Sequence, residues 1–415
     1  MKQPRIHLPR LALCVVATLL TATGCSSVGD LAPHEPAPLT TFSVSRVKGG
    51  VNPVLGSAPV TFTAKDGSIA DVTLVGPDGK TVANTVGADG TGASWQRQRS
   101  QWSLGGVLKP ATTYQATVNG YNADGVRASK TFAFTTTKAP LLEASMYPGD
   151  HDVVGVGMPI RVQFNTDVPD RANVERALTI KTTPEVNGSW GWIDDRTVMW
   201  RPATFWPAKT TVNAAVAFSG HYLGKGVFGG TKRSVNFAVG RDLRMSISNA
   251  SKTMTVTQDG KEIGSLPVSL GKPGHTTRSG TKIVYAKNSP YTMRGPRSDP
   301  YVVTVRYAQR ITDSGEFLHS APWSVGDQGR RNVSHGCTNL SPSSARWLYG
   351  RTIMGDPVIT TGTSRKAETW NGLGGIWNYT WAQWQQQSAL ATKPAPAPGT
   401  ADTPDGELQK VARKG

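Results

Sequence analysis

The sequence predicts an all-β protein, with two β-sandwiches in tandem followed by a third β-rich domain that carries one short helix. Three observations support this fold class. Short alternating runs such as VTFTA and DVTLVG are punctuated by turn sequences such as PDGK and NADG, which is typical of strands joined by tight turns. Two segments in the middle of the chain echo each other. From Leu243 the pattern changes to two alternating runs that meet at QDGK, which indicates a separate domain.

Residues 1–25 are predicted to direct export. Three basic residues precede the apolar run LALCVVATLLTAT, which is too short to span a bilayer as a stable anchor. The run ends in ATGCSS, which resembles the lipobox of bacterial lipoproteins, with Ala22 where that motif usually has leucine. The resemblance implies that Cys25 receives a diacylglyceryl group and anchors the chain to the membrane; ordinary signal cleavage is the alternative. The Pro, Ala and Ser content of residues 26–39 predicts a tether.

The composition indicates an exported, basic protein. Its 415 residues suffice for about two to four domains, and no second apolar run is long enough to cross a membrane. The net charge is +17, and loss of the three basic residues of the signal segment leaves +14. Outside the membrane, such a surplus favours anionic wall polymers or lipid headgroups over nucleic acid. Because the charges are scattered, an ordinary solvated surface is the alternative.

Residues 40–138 and 139–241 are predicted to form two immunoglobulin-like sandwiches. KPATTYQATVNG is similar to WPAKTTVNAAVAF, and KTFAFTT is similar to RSVNFAV. The offset within each pair is close to 100 residues, the size of one such domain. Neither segment contains cysteine, so neither has an inter-sheet disulfide. The pair Asp194-Asp195 predicts a hairpin turn, with a metal site as the weaker alternative. The simplest role for both domains is to hold the next domain away from the membrane.

Residues 242–364 are predicted to form the third domain. A β-hairpin is expected first, with its two-residue turn at Asp259 and Gly260. Ser341 as N-cap and Pro342 in the first turn then predict a helix. Further strands are predicted at 281–287 and 301–308.

Cys337, in SHGCTNLSP, is the candidate reactive residue. The other two cysteines, at positions 14 and 25, lie in the predicted signal segment, so Cys337 would be the one free thiol of the exported protein. A thiolate nucleophile needs a base nearby and backbone N–H groups to receive an oxyanion. His319 and His335 are nearby in an otherwise histidine-poor chain. The alternatives are a small buried side chain or a zinc ligand.

HSAPWS, the dipeptide Ser314-Gly315 and SHGCTN together resemble the catalytic domain of the L,D-transpeptidases, which cross-link peptidoglycan. The resemblance covers roughly residues 243–364. Multi-domain members of that family also carry two immunoglobulin-like domains before the catalytic domain and a Trp-rich segment after it. The resemblance implies a β-rich catalytic fold bearing a short helix.

The resemblance also implies catalytic roles. Cys337 would attack the carbonyl between the third and fourth residues of a stem tetrapeptide, and His319 would serve first as base and then as acid for the departing D-alanine. The carbonyl of Ser320 would orient the imidazole. The backbone N–H groups of His335, Gly336 and Cys337 would receive the oxyanion; a structural role for the His335 side chain is the alternative.

Matching positions implied to contact substrate are Tyr301, Ser314, Gly315, Asn339 and Met293. Tyr301 would assist at the oxyanion, and Met293 matches a lid position, with a shorter lid than the family usually has. The alternative role for Asn339 is to cap the helix. Trp323 is expected to lie in the core and not to contact the substrate.

The implied reaction joins two peptidoglycan stem peptides, a donor and an acceptor. A thioester forms on Cys337, and the side-chain amine of a diaminopimelate residue on a neighbouring stem resolves it into a 3→3 cross-link. No metal or organic cofactor is required, carbapenems are expected to acylate the cysteine, and the chain is expected to be a monomer. Transfer to water, as in an L,D-carboxypeptidase, or to a protein amine remains open. The non-enzymatic alternative is an inactive scaffold lipoprotein that binds the cell wall.

The remaining C-terminal residues divide into two predicted parts. Residues 365–392 include WNGLGGIWNYTWAQWQQ, which we expect to pack against the neighbouring immunoglobulin-like domain; carbohydrate stacking is the alternative. Residues 393–415 are rich in Pro and Ala and predict a disordered tail.

Overall fold

The computed structural model describes residues 35–44, 51–52, 60–82, 100–104, 107–295, 297 and 299–392. The predicted signal segment, most of the tether and the C-terminal tail lie outside the described residues. Strands dominate the rest and the helices are short, which confirms the predicted β-rich class. Within the described ranges, no helix combines the length and the apolar composition that a membrane crossing requires.

The first sandwich is built from two sheets, with strand orders β1-β3-β5 and β2-β7-β6-β4. Alternation along β3 and β6 turns apolar side chains inward, and Phe62, Trp102 and Phe134 lie buried between the sheets. The strands are β1 Thr41–Val44, β2 Val51–Asn52, β3 Thr61–Lys65, β4 Ser68–Val75, β5 Gln101–Ser103, β6 Thr113–Tyr121 and β7 Arg127–Thr136.

The second sandwich repeats this arrangement, with strand orders β10-β17-β15-β12 and β13-β14-β11-β9. The two pairs of similar sequences form equivalent strands. In the first sandwich β6 pairs with β7, and in the second β15 pairs with β17. Its elements are β8 Leu141–Leu142, β9 Ala144–Tyr147, β10 Val153–Val154, β11 Ile160–Phe164, α1 Arg171–Arg176, β12 Leu178–Thr183, β13 Gly188–Trp192, β14 Thr197–Pro202, β15 Thr211–Ala217, β16 Phe228–Gly229 and β17 Lys232–Val239.

The predicted turn at Asp194-Asp195 joins β13 to β14. Asp194 accepts hydrogen bonds from the Arg196 N–H and the Thr197 hydroxyl, at 2.7 and 3.0 Å, and Asp195 pairs with Arg171. These contacts occupy both carboxylates, which favours the turn interpretation over a metal site.

The third region contains a five-stranded sheet, β20-β19-β18-β28-β21, and a four-stranded sheet, β22-β25-β26-β27. The hairpin β23–β24 with its connection, residues 291–305, is called the lid hairpin below. The elements are β18 Leu243–Ser248, β19 Thr253–Gln258, β20 Lys261–Pro267, β21 Gly280–Ile283, β22 Ala286–Asn288, β23 Tyr291–Arg294, β24 Val302–Val305, β25 Ala308–Arg310, β26 Phe317–Ser320, β27 Thr338–Leu340, α2 Pro342–Tyr349, β28 Pro357–Thr361 and α3 Trp381–Gln385.

The local predictions for this region are largely confirmed. Asp259 and Gly260 form the two-residue turn of the β19–β20 hairpin, both with positive φ, 49° and 81°, as a type I′ turn requires. Ser341 caps α2 by accepting the Ser344 N–H at 3.1 Å. Two strand predictions are wrong in the same respect. The predicted strand 281–287 is divided between β21 in the five-stranded sheet and β22 in the four-stranded sheet. The predicted strand 301–308 breaks at Tyr307, which has φ 57°, so β24 and β25 belong to different sheets.

The second sandwich contacts the third region through a close backbone approach. The Gly155 N–H donates to the Met354 carbonyl at 2.8 Å. A Cβ at Gly155 would lie 2.4 Å from the Asp356 nitrogen, so the approach requires glycine there. The carboxylate of Asp356 is fully buried and accepts two hydrogen bonds from Arg241, at 2.8 and 2.6 Å. The exact boundary between the two domains stays a prediction.

The Trp-rich segment packs against the second sandwich, in agreement with the packing interpretation. The guanidinium of Arg201 lies 4.7, 5.3 and 5.4 Å from the ring centroids of Trp377, Trp381 and Trp384, and each such cation–π contact contributes about 0.5–2 kcal/mol. Burial lowers the pKa of Arg201 to about 10. Trp370 differs from these tryptophans, because it is exposed.

Candidate active site

Two adjacent parallel strands bring the candidate catalytic residues together. In the β26–β27 pair, His319 lies opposite Asn339, and Cys337 comes directly before β27. Since successive side chains of a strand alternate in direction, residues two positions apart face the same side. The side chains of His319, Cys337 and Asn339 accordingly line one cavity of about 340 Å³.

The Cys337 thiol is buried beneath the lid hairpin. It is 7% exposed and packs with Met293 and Phe317 in one apolar cluster. Its Sγ donates to the Gly315 carbonyl at 3.7 Å. Burial raises the pKa of the Cys337 thiol to about 12, an effect opposed by the Phe317 N–H and Arg310. The resting group is therefore a neutral thiol, and attack on a carbonyl requires a base to remove its proton.

His319, which lines the same cavity as the thiol, is the candidate for that base. Its Nδ1 lies 3.0 Å from the Ser320 carbonyl oxygen, and because a carbonyl only accepts, this bond places the ring proton on Nδ1. The Nε2 lone pair is then available to accept a proton. Burial lowers the pKa of His319, opposed by its bond to Ser320, so the imidazole is neutral at pH 7.

The turn before Cys337 limits which N–H groups can receive an oxyanion. The Gly336 N–H donates to the Ser334 hydroxyl at 3.1 Å, and that hydroxyl donates to the Cys337 carbonyl at 2.7 Å. Gly336 has φ 119°, a conformation that favours glycine. Of the three predicted donors, the Gly336 N–H is thus already engaged, and those of His335 and Cys337 are the better candidates.

The His335 side chain lies in a polar cluster at the lid hairpin. Its Nε2 is 3.0 Å from Lys272 Nζ and 3.3 Å from Asp299 Oδ2, and its ring centroid is 4.9 Å from that of Tyr301. Asp299 also lies 3.5 Å from His275 Nε2. Burial, followed by Lys272, lowers the pKa of His335. These contacts favour a structural role for this side chain.

Two cavities lie beside the lid hairpin and share part of their lining. The cavity containing Cys337 and His319 is also lined by Trp323, which is 58% exposed, so the expectation that Trp323 lies in the core is wrong. A second cavity of about 300 Å³ is lined by Ser314, Gly315 and Gly336 among others. Met293, Tyr301 and His335 line both.

Tyr301 and Asn339, two further predicted substrate positions, line the same cavity as Cys337. Asn339 lies in β27, and its amide donates to the Ser324 hydroxyl at 3.0 Å; the helix cap is Ser341, so the capping alternative is wrong. Tyr301 packs against the apolar cluster that contains Cys337; burial raises the pKa of its phenol, and Cys337 adds to this effect.

Several residues at the site carried no sequence signal. Lys272, His275 and Asp299 lie far along the chain from Cys337 and match none of the motifs. Within the described ranges, no group of three or more His, Cys, Asp and Glu side chains is arranged to hold a metal ion.

Comparison with known proteins gives two domain families. A family described as "L,D-transpeptidase catalytic domain" matches residues 244–360, and one described as "Bacterial Ig domain" matches residues 51–222. The second match runs across the predicted boundary between residues 138 and 139, so this boundary stays a prediction.

Whole-chain relatives come from Mycobacterium tuberculosis. The chain is 33% identical over 398 residues to its L,D-transpeptidase 2, covering 92% of this chain and 95% of that protein. It is 33% identical over 405 residues to L,D-transpeptidase 5, covering 94% and 87%. A solved structure of an L,D-transpeptidase in complex with imipenem is 36% identical, covering 54% of this chain and 99% of that one, with a TM-score of 0.48. The similarity along almost the whole chain shows that this protein belongs to the L,D-transpeptidase family.

Proposed function

We propose that this protein forms 3→3 cross-links between peptidoglycan stem peptides through a thioester on Cys337. The observation that carries the proposal is the shared cavity, in which a buried neutral thiol and an imidazole with a free Nε2 face the same space. Members of the family act on peptidoglycan peptides. Because Nδ1 of His319 is hydrogen-bonded to the Ser320 carbonyl, Nε2 is the ring nitrogen that exchanges a proton with the reacting groups, one proton at a time.

The first half of the reaction acylates the enzyme. As Sγ of Cys337 attacks the carbonyl carbon of the third stem residue, its proton passes to Nε2 of His319. The N–H groups of His335 and Cys337 receive the oxyanion, with the Tyr301 hydroxyl nearby. The C–N bond to the fourth residue then breaks, and His319 returns the proton to the departing D-alanine nitrogen.

The second half transfers the acyl group to the acceptor. The neutral side-chain amine of a diaminopimelate residue attacks the thioester, and His319 Nε2 takes a proton from its nitrogen. The C–S bond breaks, the sulfur regains this proton, and an amide joins the two stems. The two cavities, which share Met293, Tyr301 and His335 in their lining, provide room for a donor and an acceptor.

The function is tested by incubating the full chain with a disaccharide-tetrapeptide and following the products by mass spectrometry. We expect loss of the terminal D-alanine together with formation of a cross-linked dimer. Loss of D-alanine without a dimer would assign an L,D-carboxypeptidase. An unchanged tetrapeptide would favour the inactive wall-binding scaffold.

We also propose that the protein acts as a monomer outside the cell membrane, held there by lipid on Cys25. Support comes from the lipobox-like sequence around Cys25 and from the cell-wall location in which family members act. The anchor itself lies outside the described residues.

A further inference from the structure

The turn that joins β25 to β26, residues 312–316, forms one side of the site. Ser314 and Gly315 line the second cavity, and the Gly315 carbonyl accepts the Cys337 thiol at 3.7 Å. Gly315 has φ 97°, so the turn depends on a backbone conformation that other residues rarely adopt. A residue that holds this turn in place therefore also positions the Gly315 carbonyl, which accepts the hydrogen bond from the Cys337 thiol.

Asn371, from the Trp-rich segment, holds this turn. Its Oδ1 accepts the Ser314 N–H at 3.0 Å, and its Nδ2 donates to the Ser314 hydroxyl at 2.9 Å. Because a backbone N–H only donates, the first bond fixes the orientation of the amide. Asn371 is 2% exposed, so these bonds are shielded from competing water.

A second connection runs from the same segment through Glu368. Its Oε2 accepts from Asn371 Nδ2 at 2.9 Å and from Arg278 Nε at 2.5 Å. Arg278 also donates to Glu316 Oε1 at 2.9 Å, and Glu316 is the last residue of the turn. Burial would raise the pKa of Glu368, but hydrogen bonds led by those from Asn371 and Arg365 outweigh it and hold the pKa at about 2. The carboxylate therefore stays charged at neutral pH.

We propose that Asn371 is a positioning residue of the active site, which sets the Ser314–Gly315 turn for binding of the donor stem. This inference rests on the proposed function. It assigns to the Trp-rich segment a role beyond packing, since one part of it holds the second sandwich while Asn371 holds the substrate side of the catalytic site.

The segment itself provides a matched control. Asn378 also makes three hydrogen bonds: its Oδ1 accepts from Thr281 N at 2.9 Å, and its Nδ2 donates to the carbonyls of Thr281 and Gly375 at 2.9 and 3.1 Å. The two bonds to Thr281 attach the segment to β21 and not to the Ser314–Gly315 turn, and the third lies within the segment. Asn371→Ala and Asn378→Ala therefore remove equal numbers of bonds from one segment.

The test compares both variants in the full chain, with thermal unfolding measured alongside. For Asn371→Ala we expect the KM for the tetrapeptide donor to rise roughly tenfold, as two lost hydrogen bonds to the turn imply, with kcat within about twofold. For Asn378→Ala we expect a similar loss of thermal stability and an unchanged KM. Equal KM values for the two variants would overturn the proposal, because the segment would then act through stability alone.

A second readout separates this proposal from the proposed function. Alkylation of Cys337 by iodoacetamide needs no substrate, and release of the Gly315 carbonyl should make the thiol more accessible. We expect the rate to rise roughly threefold in Asn371→Ala and to stay unchanged in Asn378→Ala. If the wild-type chain leaves the tetrapeptide intact, the proposed function fails, and equal alkylation rates in both variants would then overturn the positioning role independently.

Discussion

Replacement of Cys337 by alanine is expected to abolish both D-alanine release and dimer formation, with a fall in rate of at least about 10³-fold. No other cysteine lies in the domain, so no neighbouring thiol can form the thioester. The measurement is product formation from the disaccharide-tetrapeptide by mass spectrometry, with wild type and variant at equal concentration.

The control for this variant is its stability. The thiol contributes a single sulfur atom to the cluster formed with Met293 and Phe317, so the loss of unfolding free energy should be of the order of 1 kcal/mol. A folded Cys337→Ala protein that still releases D-alanine would rule out the cysteine as nucleophile.

Replacement of His319 by glutamine is expected to lower the rate by about 10²- to 10⁴-fold, the usual contribution of a positioned base. The loss should be severe because burial keeps the thiol pKa at about 12, and too little thiolate forms at neutral pH without proton transfer. The measurement is kcat/KM for the tetrapeptide donor across a range of pH.

The pH profile gives His319 a distinct signature. A proton on Nε2 removes the lone pair, so activity is lost as the pH falls through the pKa of His319. Burial places that pKa below the ordinary value of about 6.5, and wild type should therefore still be active at pH 6.5. The matched control is His335→Gln, which should retain this acid limb. If His335→Gln lost the limb and His319→Gln kept it, the assignment of the base would have to be reversed.

Cys337 was predictable from the sequence because it would be the one free thiol of the exported protein, with His319 and His335 nearby. Its role and that of His319 followed from the resemblance of SHGCTN and HSAPWS to the family's catalytic domain, and the structure adds that the strand of His319 pairs in parallel with β27. The two-residue turn and the helix cap were predictable from local sequence, since residues such as Gly260 and Ser341 determine backbone conformation within a few positions.

Other features depend on contacts between distant parts of the chain. Asn371 lies 57 residues after Ser314, and a sequence pattern does not show which amide will meet which turn. The break at Tyr307 was missed for a related reason: alternation predicted one strand, whereas the chain passes there from the lid hairpin into another sheet. The engaged Gly336 N–H likewise depends on the position of the Ser334 hydroxyl.

The most direct test of thioester chemistry at Cys337 is the mass of the intact full chain after exposure to a carbapenem. Attack of the thiol on the lactam carbonyl opens the ring, with the proton passing to the ring nitrogen, so the whole carbapenem mass is added. We predict a single adduct, located after trypsin digestion on the peptide of residues 332–346, whose one cysteine is Cys337. An unmodified chain after prolonged exposure, or an adduct on any other peptide, would contradict Cys337 as the nucleophile.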